Sequence, residues 1–354
     1  MNVLTGHVLN RTALARQLLL DRVDLPAATA VERLAGLQGQ EANTPYLSLW
    51  ARLRDFRHDE LTRALEDRTV VRSSVLRGTQ HLVTGEDFGW MRALMQPLLA
   101  RIRQSAFGRD TVGVDLDELA KAARETLAGR TLTRPQLRDV LAERWPGVPP
   151  LSLAWSAQML VPVVHPPPNG TWNKGGATPF TLAEEWLGRP LEAEPSRELL
   201  VERYLRAFGP ASVKDVQMWS GLTRLKEVVA GMDLRAYRDE SGRELYDVPD
   251  GELSEVDEAP VRLLPYFDNL IVAYDDRSRM MTAEVRKRVC VGAVIYPTVL
   301  VGGRVRAMWD LVGKRVLRVE TFGGLSTAER AAVTAEAEAL LDFAGIGDGE
   351  VAFA

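Results

Sequence analysis

The 354-residue sequence holds one cysteine, Cys290, so it can form neither an internal disulfide nor a cysteine-based zinc site. The strand-like run around it, Arg288-Val289-Cys290-Val291, predicts a buried, inert thiol. Histidine is also scarce: His7, His58, His81 and His165 never fall at the i, i+4 spacing of a helical metal site. No metal and no cofactor is expected. No apolar run approaches the roughly eighteen residues of a membrane span, and the start, MNVLTGHVLNRT, lacks the charged-then-apolar order of a secretion signal. A cytoplasmic location with no membrane partner is expected. Also missing are a P-loop, a dinucleotide glycine fingerprint and a serine nucleophile elbow.

An excess of positive charge is lacking too. The net charge is -4 and the isoelectric point about 5.8, which weighs mildly against nucleic acid as a partner. The distribution offsets this, because acidic residues crowd into 247–258 while basic ones cluster at Arg68, Arg72 and Arg77, at Arg277, Arg279 and residues 286–288, and at residues 314–318. A basic groove can exist on an acidic protein.

What is present is the composition of a folded chain, 46% hydrophobic and 26% charged, long enough for two or three modules. The plainest local pattern starts at Ser212, which caps a predicted helix through Trp219; the turn Ser220-Gly221-Leu222-Thr223 leads to a second helix capped by Thr223. Two predicted strands, 234–238 and 243–248, follow around a hairpin loop, completing a winged helix. A similar plan runs from Thr133, whose capping box opens a helix to about Trp145. A helix at 151–160 follows, then strands at 161–165 and 171–174. In the first third, helical periodicity at 12–20, 27–37, 46–53 and 59–68 precedes a strand pair at 70–76 and 79–84. A long helix, 85–107, links the modules. After residue 258 short apolar strands, the Gly302-Gly303 turn and an amphipathic helix at 327–343 predict a small antiparallel barrel or sheet closed by that helix. The expected fold class is α+β, with modules at 1–108, 109–190, 191–258 and 259–354.

Gln38-Gly39-Gln40 stands where the helical pattern at 27–37 stops. On a helix its two carboxamides would diverge, whereas on extended backbone they share a side. The triplet is therefore either a polar helix end or a pair of neutral amides converging on a ligand.

Four segments decide between these by resemblance. Leu37-Gln38-Gly39-Gln40 resembles the Gln-x-Gln motif of the AlkZ-like winged-helix DNA glycosylases, and Arg77-Gly78-Thr79-Gln80-His81 their Arg-Gly-Thr-x-His signature. Leu263-Leu264-Pro265-Tyr266-Phe267-Asp268-Asn269-Leu270 with Tyr274-Asp275-Asp276-Arg277, and Pro297-Thr298-Val299-Leu300-Val301-Gly302-Gly303, resemble further family blocks. The resemblance covers most of the chain. It implies three winged helices scaffolded by a barrel, a C-shaped channel for duplex DNA, and hydrolysis of the N-glycosidic bond of N7-alkylated guanine. Gln stands at position 40, where the family's more general branch has Asp. This chain therefore resembles the branch tied to self-resistance against DNA-alkylating natural products, which implies bulky adducts or interstrand crosslinks.

A cationic N7-alkylguanine departs as a neutral base, so little acid catalysis is needed; an amide oxygen can orient water and a dipole can stabilise the developing sugar cation. Gln38 and Gln40 are the expected catalytic pair, with Glu41 facing away, and no lyase activity is expected because no lysine accompanies the motif. Arg77 and His81 either contact DNA or satisfy buried backbone. Trp172 either meets the minor groove or packs in a core. Lys214, Gln217 and Arg224 lie where helix-turn-helix proteins meet phosphate, or are ordinary surface. Arg277 and Arg279 complete the expected DNA contacts, and one of them is the expected salt-bridge partner of Asp268. A monomer acting on double-stranded DNA with alkylated purines fits this pattern. The rival reading is a non-catalytic DNA-binding protein, a regulator or lesion-sequestering factor, in which the glutamines only end a helix.

Overall fold

Capping chemistry fixes many helix starts. In the computed structural model, which describes residues 2–191 and 195–354, Thr84 caps the long helix Gly85–Phe107, Ser212 caps Val213–Ser220 and Ser326 caps Thr327–Phe343. In each case the hydroxyl accepts a first-turn amide hydrogen that the helix itself leaves unpaired. The expected Thr223 cap is not made. Its helix runs over Lys226–Ala230, and Gln217 Oε1 instead accepts the Leu225 amide at 3.0 Å.

Three groups of helices each end on a three-stranded sheet. In the first, Ala27–Arg33, Thr44–Trp50 and His58–Glu66 precede Val70–Ser74 and Gln80–Thr84, and the central strand Gln80–Thr84 also pairs with Leu37–Gln38. In the second, Arg134–Arg144 and Pro150–Leu160 pack beside Leu132–Thr133, Pro179–Leu182 and Val163–Val164. The return strand expected at 171–174 is displaced to Pro179–Leu182, because 168–174 closes into hydrogen-bonded turns. In the third, the hairpin Arg235–Asp239 and Glu244–Asp247 takes its outer strand from the far N-terminus: Asn2–Leu4 pairs in parallel with Tyr237 to Asp239.

The C-terminal strands form an open sheet, which corrects the expected barrel. Its order is Arg262–Leu264, Thr298–Val301, Arg304–Val312, Val316–Thr321 and Glu350–Phe353, and among the described residues the two outer strands do not pair with each other. The last strand runs parallel to its neighbour, so the sheet is also mixed. Gly302 and Gly303, with φ of 57° and 79°, make the two-residue turn that right-twisted hairpins require. The helix Thr327–Phe343 covers one face. Cys290 is half-exposed rather than buried, in the short hairpin Cys290–Val291 with Val294–Ile295.

One apolar core runs through the first and third groups into the C-terminal sheet, while the second group has its own core around Leu119, Leu137, Leu153 and Phe180. At the centre of the larger core is an ion pair with no exposed side-chain surface. Arg52 reaches Asp268 at 2.8 Å and also donates to the Gln17 and Ser48 carbonyls. Arg52 thus takes the role expected of Arg277 or Arg279. Asp268→Ala strands this buried guanidinium, so urea denaturation of the variant is expected to show a loss of about 3–5 kcal/mol in unfolding free energy.

Candidate functional site

Ala35 and Gly36 both have left-handed backbone, with φ of 55° and 93°, and turn the chain out of the Ala27–Arg33 helix into the strand Leu37–Gln38. A Cβ on Gly36 would lie 2.9 Å from Val83, so both conformation and space favour glycine there. Asn269 holds this turn by donating to the carbonyls of Leu34 and Gly36 at 3.1 and 2.6 Å.

On the extended segment that follows, the two carboxamides meet. Gln38 Nε2 donates to Gln40 Oε1 at 2.8 Å. Gln38 is buried and Gln40 exposed, so the pair runs from interior to surface. Gln38 Oε1 is buried and has no hydrogen-bond partner among the described residues. Between the glutamines, the Gly39 amide donates to the Gln80 carbonyl at 2.8 Å, and a Cβ there would lie 2.5 Å from the Leu82 side chain. A larger residue there requires the buried Leu82 side chain to shift.

Arg72, on the strand Val70–Ser74, holds the far side of the segment. Its guanidinium donates to the Gly39 carbonyl at 2.8 Å, the Gln40 carbonyl at 3.4 Å, Gln80 Oε1 at 2.6 Å and Asn169 Oδ1 at 2.7 Å. Burial draws its pKa down to about 10, with Glu41 opposing, so it stays charged at neutral pH. The sequence shows Arg72 only as one of a basic cluster; a partner 97 residues away leaves no local signal.

His81 lies directly opposite Gln38 in the strand pairing. It is fully enclosed, its Nδ1 meets the Thr79 carbonyl at 2.9 Å, and its Nε2 faces an Arg77 nitrogen at 3.3 Å. Burial, then the neighbouring Arg77 charge, push its pKa down to about 3, so it is neutral and accepts from Arg77 through Nε2. Arg77 also donates to the Trp219 carbonyl, joining the first and third groups.

The other expected DNA contacts divide sharply. Arg277 and Arg279 are corrected: both are buried, donating to the carbonyls of Ile271 at 2.6 Å and Pro210 at 3.1 Å. Trp172 is packed on His58, ring centroids 4.1 Å apart, with Tyr46 and Phe343 at its edges. Gln217 serves as the helix cap described above. Lys214 is exposed but paired to Asp275 at 2.8 Å, and Arg224 is exposed with left-handed backbone. Glu41 does not face away: with Gln40 and Ala42 it lines clefts on both sides of the segment.

One of these clefts, about 460 Å³, is cationic, bringing Arg72, Arg134 and Lys174 together with Gln80, Gln158 and Asn169. Arg134 stacks 3.6 Å over the Trp155 ring centroid. The sequence profile described as DNA glycosylase AlkZ-like matches residues 31–343. The chain belongs to the AlkZ-like DNA glycosylases. A relative, the interstrand DNA cross-link repair glycosylase of Streptomyces sahachiroi, is 24% identical over 327 residues, covering 85% of this chain and 86% of that protein. The solved structure of the Streptomyces sahachiroi DNA glycosylase AlkZ superposes with a TM-score of 0.83 at 22% identity, covering 99% of this chain and all of that one. The AlkZ-like fold thus brings together an amide pair, an arginine clamp and a cationic cleft.

Two outcomes test this geometry in the glycosylase. Arg72→Lys keeps the charge but loses the fork that spans four acceptors, so excision is expected to fall about 10-fold or more, with faster amide exchange at 39–41. His81, with its pKa depressed on folding, contributes stability that is complete above pH 6.5 and is lost as the pH falls toward 3. His81→Asn is expected to flatten unfolding free energy against pH by about 1.4 kcal/mol per unit between pH 6 and 4, measured by chemical denaturation.

Proposed function

We propose that this glycosylase hydrolyses the N-glycosidic bond of N7-alkylated guanine in duplex DNA, including bulky natural-product adducts or the crosslinks named for its relative. The three helix-and-sheet groups are read as winged helices around a concave DNA channel, with Lys214 and Arg224 at its edge. The observation that carries the proposal is the coupled amide pair with one buried oxygen left unpartnered beside a cationic cleft. An unpaired buried carbonyl costs about 1–3 kcal/mol, and a water or substrate hydroxyl relieves that cost.

In the proposed step, water hydrogen-bonded to the amides attacks C1′ as the C1′–N9 bond breaks. The bonding electrons pass into the purine and cancel its positive charge, and the attacking water loses its proton to solvent. Neither glutamine takes the proton, because an amide is not a useful base at neutral pH. His81 cannot supply one at neutral pH either, being held neutral inside the protein. The amide dipoles stabilise the sugar cation, and the positively charged cleft holds flanking phosphate.

Glu41 gives a second reading, because it lines the same clefts and is ionisable. The test uses duplex treated with dimethyl sulfate or with a bifunctional mustard, with alkali cleavage of the abasic product. Gln38→Ala/Gln40→Ala is expected to slow single-turnover excision about 100-fold or more, while Glu41→Gln stays within about threefold of wild type. Loss with Glu41→Gln and retention with the glutamine double variant would assign the base to the carboxylate. Activity on neither substrate would overturn the substrate reading, and a covalent complex trapped by borohydride would overturn the purely hydrolytic mechanism.

A further inference from the structure

Gln40, Glu41 and Ala42 form a ridge with the cationic cleft on one side and a larger cleft, about 760 Å³, on the other. The two differ in chemistry. The larger one is walled by Tyr266, Phe267, Trp309 and Leu311, and among the described residues the charged residue types lining it are both acidic, Glu41 and Asp310. Arg318 lies 3.5 Å from Asp310, and both are half-exposed. Phosphate is repelled by such a lining, whereas a flat apolar group, neutral or cationic, is favoured.

The wall is built rather than incidental. Phe267 has left-handed backbone, φ 54°, a costly conformation for an aromatic residue. It is held there because its amide donates to the Ile295 carbonyl at 3.1 Å while Asp268, the next residue, is fixed by Arg52. The Trp309 indole donates to the Leu264 carbonyl at 2.9 Å, which sets its ring against the same cleft. Tyr266 stands beside Tyr296 with centroids 5.9 Å apart. The volume is that of a site for a drug-sized ligand.

We propose that this cleft receives the non-nucleoside part of the lesion, a planar aromatic group attached to the purine whose glycosidic bond lies at Gln38 and Gln40. The inference rests on the proposed substrate reading and adds to it a residue set for selectivity. Position supports it: a group tethered to a base at the ridge reaches the second cleft without leaving the protein surface. Charge supports it as well, because the phosphate chain is drawn to the opposite side.

The test compares two substrates and one ligand. Duplex bearing N7-methylguanine and duplex bearing acridine-linked N7-guanine, made with quinacrine mustard, are offered to wild type, Tyr266→Ala and Phe267→Ala. Protein without DNA is titrated with 9-aminoacridine, followed by its fluorescence. Each variant is expected to lower kcat/KM for the acridine adduct, relative to the methyl adduct, about tenfold or more, and to weaken 9-aminoacridine binding by a similar factor. Parallel loss on both substrates would mean a structural role, and an unchanged ratio would leave the cleft to another occupant; either overturns the proposal. If wild type excises neither adduct, the substrate reading fails by itself. The titration then decides the cleft: binding by wild type that both substitutions weaken supports it, and no binding, or binding that neither alters, overturns it.

Discussion

The buried pair between Arg52 and Asp268 connects the interior to the site. Asp268 also accepts the Leu270 amide at 3.0 Å and so starts the short helix Asn269–Val272. That start places the Asn269 amide against the carbonyls of Leu34 and Gly36, which lead directly into Gln38. A charge that cannot move thus orients a neutral side chain, and that side chain orients the glutamine segment. Desolvating both ions is costly, and the pair gives its return as positional order more than as net stability.

Electrostatics on this molecule is local. With a net charge of -4 the protein has no global attraction for a polyanion, yet Arg72, Arg134 and Lys174 face one cleft and carboxylates the next. Within about a Debye length, some 8–10 Å, such an arrangement outweighs the overall balance. Arg72 belongs to both structure and charge. Its guanidinium fixes two carbonyls of the glutamine segment and bridges to Asn169 in a group with a separate core.

Local chemistry was legible where it is self-contained. The long helix spans 85–107 as expected and the hairpin follows its Gly302-Gly303 pair, whereas at Gln38 the sequence left a helix end and extended backbone both open. Long-range partnerships were not legible. Nothing near Arg277 or Arg279 distinguishes a buried guanidinium from an exposed one, because their acceptors, Ile271 and Pro210, are backbone carbonyls without sequence identity. Its polar neighbours left Trp172 open between groove and core, and the rings that pack on it, Tyr46, His58 and Phe343, come from distant segments. The choice between barrel and open sheet was not legible, because closure depends on whether the first and last strands meet, and the last, Glu350–Phe353, lies beyond the helix expected to close the fold.

The parallel strand Asn2–Leu4 carries a consequence for synthesis on the ribosome. Its partners, Tyr237 to Asp239, are made more than two hundred residues later. At roughly 5–20 residues per second, that separation leaves the first strand unpaired for on the order of 10–50 s. Leu4 and Leu9, which finally pack with Tyr237 and Leu245, are without that cover throughout. That segment therefore waits for its partner long after it is made, and a nascent chain halted before the third group carries it unpaired.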